Sequence, residues 1–142
     1  MALVSSKEIL MKAQQEGYAV GAFNAENMEM VQAIVAAAEE LSSPVIIQTT
    51  PGSLQYADTD MFFGMVNAEA KKAKVPVALH LDHGNSAELC AKAILSGYTS
   101  IMIDGSKLAF SENVALTKKV VEFAHAMGVP VEGELGTVGG KE

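Results

Sequence analysis

The sequence predicts an α/β fold built on a parallel sheet, and three observations predict it. Short apolar stretches that read as strands begin near positions 19, 45, 76, 99 and 130, a spacing that suits βα units. Helical stretches with an apolar stripe lie between them. The strand stretches are apolar almost throughout, as in parallel sheets buried on both faces.

Each element has its own signals. Ser5 followed by Glu8 is a capping-box pattern that opens a short helix ending near Gly17. The first strand covers 19–24. A helix over 28–41 follows, with Met30, Val31, Ile34, Ala37, Ala38 and Leu41 on one stripe. Pro44 stops it and a β-branched strand covers 45–49. Pro51-Gly52 marks a loop. The next helix, about 58–73, turns Met61, Phe62, Met65 and Val66 inward. A third strand covers 76–82. Asn85 with Glu88 caps a helix that runs to about Leu95, and Gly97 closes it. The fourth strand is 100–104. Ser111 starts a helix carrying Val114, Val120, Val121, Ala124 and Met127, ended by Gly128; the fifth strand is 130–135. Two architectures fit this order: a doubly wound open sheet, or part of a (β/α)8 barrel. A full barrel needs about 250 residues. The 142 residues stop in a Gly-rich stretch after the fifth strand, so the chain reads as one domain segment, 1–142, cut from something larger.

Composition narrows the function. Apolar residues make up 49% and charged residues 19%, an ordinary globular balance. Net charge is −7 with no basic cluster and no Trp, which argues against nucleic acid or an anionic membrane as a main partner. No apolar run reaches the roughly 18 residues a membrane span needs, and the start lacks a signal-peptide core. A lone cysteine, Cys90, fits a reducing compartment, so a cytoplasmic location is expected. Cys90 sits in an apolar helix and reads as a buried inert thiol. The methionines at 28, 30, 61 and 65 read as core filler.

Chemistry gathers where parallel folds put it, at the C-terminal ends of strands. Asn24 ends the first strand and Thr49-Thr50 the second. His80-Leu81-Asp82-His83 ends the third and Asp104 the fourth, while Glu132 and Glu134 lie on the fifth. A period of two puts His80 with Asp82, and Glu132 with Glu134, on one face. Several carboxylates in one cleft repel each other and lose hydration unless a cation is present. With His80 or His83 nearby, the set is an N/O group suited to Zn²⁺ or a similar divalent ion. A single His or Asp at a strand end is commonly structural, but core-facing strand positions rarely hold this much charge without use. His125, late in its helix, is explained by the helix end.

These residues resemble the class II fructose- and tagatose-bisphosphate aldolases over the whole chain. The carriers are Tyr18-Ala-Val-Gly-Ala-Phe-Asn24, Ser43-Pro-Val-Ile-Ile47 and Pro76-Val-Ala-Leu-His-Leu-Asp-His-Gly84. With them come Ser100-Ile-Met-Ile-Asp-Gly-Ser106, Glu112-Asn-Val114 and Glu132-Gly-Glu-Leu-Gly-Thr-Val-Gly-Gly140. The resemblance implies a (β/α)8 TIM barrel, of which the chain supplies the leading helix and about five strands. It implies reversible, metal-dependent aldol cleavage of fructose 1,6-bisphosphate (or tagatose 1,6-bisphosphate) to dihydroxyacetone phosphate and glyceraldehyde 3-phosphate. His83 resembles a ligand of the catalytic Zn²⁺, with two further histidines on later strands. Asp104 and Glu134 resemble ligands of a second position for a divalent or monovalent cation. Asp82 resembles the residue that exchanges a proton with the C4 hydroxyl. Glu142 matches the carboxylate that moves a proton on the carbon next to the ketone. Asn24 and Thr50 look like substrate contacts. Lys107 stands where the family commonly has His, and reads as a solvated loop lysine rather than a Schiff-base former. Gly84 and the Glu-Leu-Gly-Thr-Val-Gly-Gly block look like the fructose type; Thr50-Pro-Gly-Ser53 looks closer to the tagatose type.

The implied assembly is a homodimer or homotetramer, or a second chain completing the barrel, and activity is expected only with the missing half supplied. Two other readings stay open from the residues: another metal-dependent sugar-phosphate barrel enzyme, such as an epimerase or isomerase, and a catalytically silent half-barrel that only assembles.

Overall fold

The computed structural model describes residues 3–136. Along them run α1 (Ser6–Glu16), β1 (Gly21–Asn24), α2 (Met28–Glu40), β2 (Val45–Thr49), α3 (Ser53–Tyr56), α4 (Thr59–Lys72), β3 (Val77–Gly84), α5 (Ala87–Ser96), β4 (Ser100–Ile103), α6 (Phe110–Ala126) and β5 (Val131–Gly133). The strands form one sheet in the order β1-β2-β3-β4-β5, and every neighbouring pair is parallel. That order decides between the two architectures. A doubly wound sheet reverses direction at a switch point. Here each strand lies beside its predecessor, as in a segment of a (β/α)8 barrel.

Strand parity separates two layers. Val45 and Ile47 of β2, Val77, Leu79 and Leu81 of β3, and Ile101 and Ile103 of β4 face the helices. There they meet Val31, Val35 and Ala38 of α2, Val66 and Ala70 of α4, Cys90 and Ala93 of α5, and Val120 and Ala124 of α6 in one buried cluster. Each large side chain buried this way contributes about 1.5–3 kcal/mol against exposure. Ile46 and Ala78 point to the opposite, concave face. Ile9 of α1 covers them in a smaller cluster, and the Val4 N–H donates to the Val77 carbonyl at 2.9 Å. The leading helix therefore lies under the N-terminal ends of the strands and leaves their C-terminal ends open.

Several local expectations need correction. Ser86, not Asn85, caps α5: its Oγ accepts from the Leu89 N–H at 3.1 Å, because β3 runs on to Gly84 and uses up the turn. α6 starts at Phe110, one residue before Ser111; Ala109 holds the cap position and its N–H donates to Glu112 at 3.2 Å. β5 is only three residues long, and β1 begins at Gly21. α3 has no helical period to announce it; hydrogen bonds between Thr50 and Ser53 hold its first turn. Met28, Met30 and Met61 are exposed rather than core, as are Leu41, Val114 and Met127. Each helix buries one narrow stripe, and these residues sit roughly 100° or more off its centre or at a helix end. Cys90 is buried as expected, and burial pushes its thiol up to about 11.

Candidate active site

The end of β3 sets the geometry. Leu81 pairs with Ile101 and Gly84 with Ile103, so two residues of β3, Asp82 and His83, stand against one of β4. This is a β-bulge. His83 takes the left-handed conformation with φ 48°, uncommon outside glycine and strained. Gly84 lets the bulged chain close again. A Cβ there would collide with the Met102 carbonyl and press on Cys90 and Leu81, and the Asp104 N–H donates to the Gly84 carbonyl at 2.9 Å. Regular alternation would send Asp82 and His83 to opposite faces. The bulge aims both into one cleft of about 610 Å³, which Asn24, Thr50, Asp104 and Lys107 also line.

His83 stands at the centre of the charged groups. Its Nδ1 is 3.0 Å from Asp104 Oδ2 and 3.9 Å from Glu134 Oε2, and its Nε2 is 4.0 Å from Asp82 Oδ1. Burial works to raise the Asp104 carboxyl, but hydrogen bonds from Ser106 and His83 outweigh it and hold the group down at about 2. The Ser106 N–H reaches Asp104 Oδ1 at 2.9 Å. Asp104 is therefore an anion at every physiological pH. The ligand atoms of His83, Asp104 and Glu134 lie within 4.8 Å of one another. One imidazole nitrogen and two carboxylate oxygens, partly buried and mutually close, fit a divalent cation of the Zn²⁺ type.

Asp82 is braced from β2. Gln48 donates from Nε2 to Asp82 Oδ2 and to Asn24 Oδ1, both at 2.7 Å, so one amide ties the ends of β1 and β3 across the concave face. Sequence reasoning missed Gln48. Its signal was present: it is the polar residue at a concave-face position of a β-branched strand. Thr50 is held in turn, its Oγ1 3.1 Å from Ser53 Oγ, which donates to Glu26 at 2.9 Å.

Beneath the cleft lies a second polar group. Ser6 of α1 donates to Ser100 Oγ at 2.8 Å, and Ser100 Oγ is 2.7 Å from His80 Nδ1. Ser100 Oγ therefore links Ser6 to the imidazole, and the His80 tautomer sets which of the two shares its proton. Nε2 lies 3.6 Å from Glu132 Oε2. Burial, helped by the charge of His83, brings His80 down to about 4. Burial and Asp82 raise Glu132 above its ordinary value. His80 and Asp82 do share a face, as do Glu132 and Glu134, but His80 is enclosed below the cleft and does not join the cation group.

The structure thus brings Asn24, Thr50, Asp82, His83 and Asp104 to one cleft, with Glu134 reaching it through His83. Asn85, displaced from its expected cap role, is part of the lining. Glu142 lies outside the described residues.

Comparison with known proteins gives the family and the fold. The family described as "Fructose-bisphosphate aldolase class-II" matches residues 4–142. A probable fructose-bisphosphate aldolase of Bacillus subtilis is 56% identical, over 100% of this chain and 51% of the relative. A fructose-bisphosphate aldolase of Thermus caldophilus is 54% identical, over 99% of this chain and 46% of its own length. The crystal structure of the YdjI aldolase from Escherichia coli K12 superposes with a TM-score of 0.90 at 41% identity, covering 94% of this chain and 52% of that one. The chain spans about half the length of the relatives it matches.

Proposed function

This chain belongs to the class II fructose-bisphosphate aldolase family, and on that premise we propose that it carries the first half of the active site of a ketose-1,6-bisphosphate aldolase. The observation that carries the reading is the bulge at Asp82-His83, which turns an acid–base group and a cation ligand toward the same cleft. His83, with Asp104 and Glu134, would hold Zn²⁺ and a second cation, the set being completed by residues beyond this chain. When bound, the metal supplies Lewis-acid polarisation of the substrate's ketone oxygen.

The chain's own residues do the rest. In cleavage, Asp82 accepts the proton of the C4 hydroxyl, the C4 oxygen forms its carbonyl and the C3–C4 bond breaks, its electron pair staying on C3. Glu142 returns a proton to C3, which releases dihydroxyacetone phosphate, while the aldehyde half leaves as glyceraldehyde 3-phosphate. Gln48 keeps Asp82 turned toward the cleft. Asn24 and Thr50 contact the sugar. Fructose 1,6-bisphosphate is the favoured substrate over the tagatose epimer, from Gly84 and the Glu-Leu-Gly-Thr-Val-Gly-Gly block. The working protein is a cytoplasmic homodimer or homotetramer, or a barrel completed by a second chain. Among the described residues no helix is long and apolar enough to cross a membrane.

The test is aldol cleavage of both bisphosphates by the chain joined to a complementary half-barrel, with and without chelator. Triose phosphate that forms, vanishes with chelator and returns with Zn²⁺ supports the proposal and names the sugar. Folded, metal-loaded protein that yields no triose phosphate removes it in favour of an isomerase or a silent assembly module.

A further inference from the structure

Glu134 lies just past β5, a strand of three residues paired only with β4 among the described strands. A strand that short does not by itself fix the residue after it. The fixing group comes from α6. Asn113 donates from Nδ2 to the main-chain carbonyl of Glu134 at 2.7 Å, and its Oδ1 accepts from Thr117 Oγ1 at 3.3 Å. The residue is 5% exposed, although it opens a helix whose first turn is otherwise exposed. Its other flank is filled by Gly105, the residue immediately after Asp104. A Cβ on Gly105 would collide with the Asn113 amide. One buried amide is therefore wedged between the chain leaving Asp104 and the backbone carrying Glu134, the two carboxylates of the cation group.

We propose that Asn113 is a positioning residue that sets the spacing of Asp104 and Glu134, and so tunes the affinity of the His83–Asp104–Glu134 group for a divalent cation. The proposal rests on the metal-binding reading above. Asn113 does not touch the cation; it acts on the ligands behind it. Asparagine is required because the amide must donate to a carbonyl and accept from a hydroxyl at once. Aspartate has the same shape but no N–H, and would set a carboxylate against the Glu134 carbonyl. Partners behind metal ligands typically change affinity about 10- to 100-fold when replaced.

The experiment measures Zn²⁺ affinity of the intact protein by competition with a chromogenic chelator, and the visible spectrum of its Co²⁺ form. Thermal unfolding of the metal-free protein is recorded alongside. Asn113→Asp is expected to bind Zn²⁺ about 10-fold or more weakly and to shift the Co²⁺ bands. Val120→Ala, a core change on the same helix that touches neither carboxylate, is expected to unfold at a lower temperature yet bind within about twofold of wild type. Equal affinity losses in the two variants, or none in Asn113→Asp, overturn the proposal. If Asn113→Asp does not fold, Thr117→Val decides. It frees the amide to rotate and is expected to weaken binding about two- to threefold; unchanged affinity overturns the proposal. His83→Ala separates the two layers. A wild type that binds no better than His83→Ala removes the metal reading and this proposal with it, whereas a wild type that binds while Asn113→Asp binds equally removes only the role of Asn113.

Discussion

The buried His80 makes stability depend on pH in a direction opposite to that of most paired histidines. Its side chain is 6% exposed, with Nδ1 2.7 Å from Ser100 Oγ, and burial disfavours the charged form. Burial lowers it from 6.5 to about 4. Between those values the unfolded chain binds a proton at this residue and the native chain does not. Stability therefore rises with pH across that window. The contribution is fully present above about 6.5 and is lost as pH falls toward 4. At about 1.4 kcal/mol per pH unit, the loss amounts to about 3 kcal/mol. That is a large part of the roughly 5–15 kcal/mol that holds a typical domain together. The assay is urea unfolding of wild type and His80→Gln at pH 7.5, 6, 5 and 4. Gln is neutral throughout, and its amide can still hydrogen-bond Ser100. Carboxylates away from residue 80, such as Asp104, titrate in both proteins and cancel in the difference. His80→Gln is expected to start less stable at pH 7.5 and to close about 3 kcal/mol of the gap by pH 4. Parallel pH profiles would refute the assignment of a buried neutral imidazole.

Three further outcomes follow from packing and hydrogen bonding. Gly84→Ala drives a Cβ into the Met102 carbonyl and against Cys90, so thermal unfolding is expected to show a loss of about 1–3 kcal/mol; an unchanged melting temperature would mean that the bulge is not tight. Gln48→Leu removes the amide that links Asn24 to Asp82. A hydrogen bond to a charged group is worth about 1.5–3 kcal/mol, so kcat/KM of the intact enzyme is expected to fall roughly 10- to 100-fold, and wild-type kinetics would deny Gln48 its bracing role. Cys90 is fully buried with its thiol raised to about 11, so labelling by a disulfide reagent at pH 8 is expected to track unfolding, and rapid labelling of native protein would contradict the packing.

The fold was legible because its signals are redundant. Strand 77–84 follows a proline and ends on a glycine, has four apolar residues among its first five and lies between two helical stretches, so any one signal could fail without losing the element. The errors fall where one signal stood alone. Asn85 and Ser86 are both good caps, and only the exact end of β3 chooses between them. Met30 and Met61 satisfy helical spacing at the margin of a stripe, where burial depends on what the neighbouring helix covers, and spacing does not contain that information.

The candidate site divides along the same line. Asp104 and Glu134 could be read as neighbours because each follows a strand at the same rim, and parallel sheets bring such ends together. Strand alternation alone does not join Asp82 to His83, since adjacent strand residues belong on opposite faces, and only the family resemblance put both in the site. The bulge brings both into the cleft, and it depends on a left-handed histidine and on a glycine that admits the Met102 carbonyl. Neither leaves a periodic trace. Gln48 and Asn113 are hidden for a related reason. Each is one polar residue whose meaning comes wholly from its two partners: Asn24 and Asp82 for Gln48, Thr117 and the Glu134 carbonyl for Asn113. The side chains that meet the cleft are named by their chemistry. Those that hold them in place are named only by geometry, and so a sequence that shows what the site contains leaves unstated what keeps it assembled.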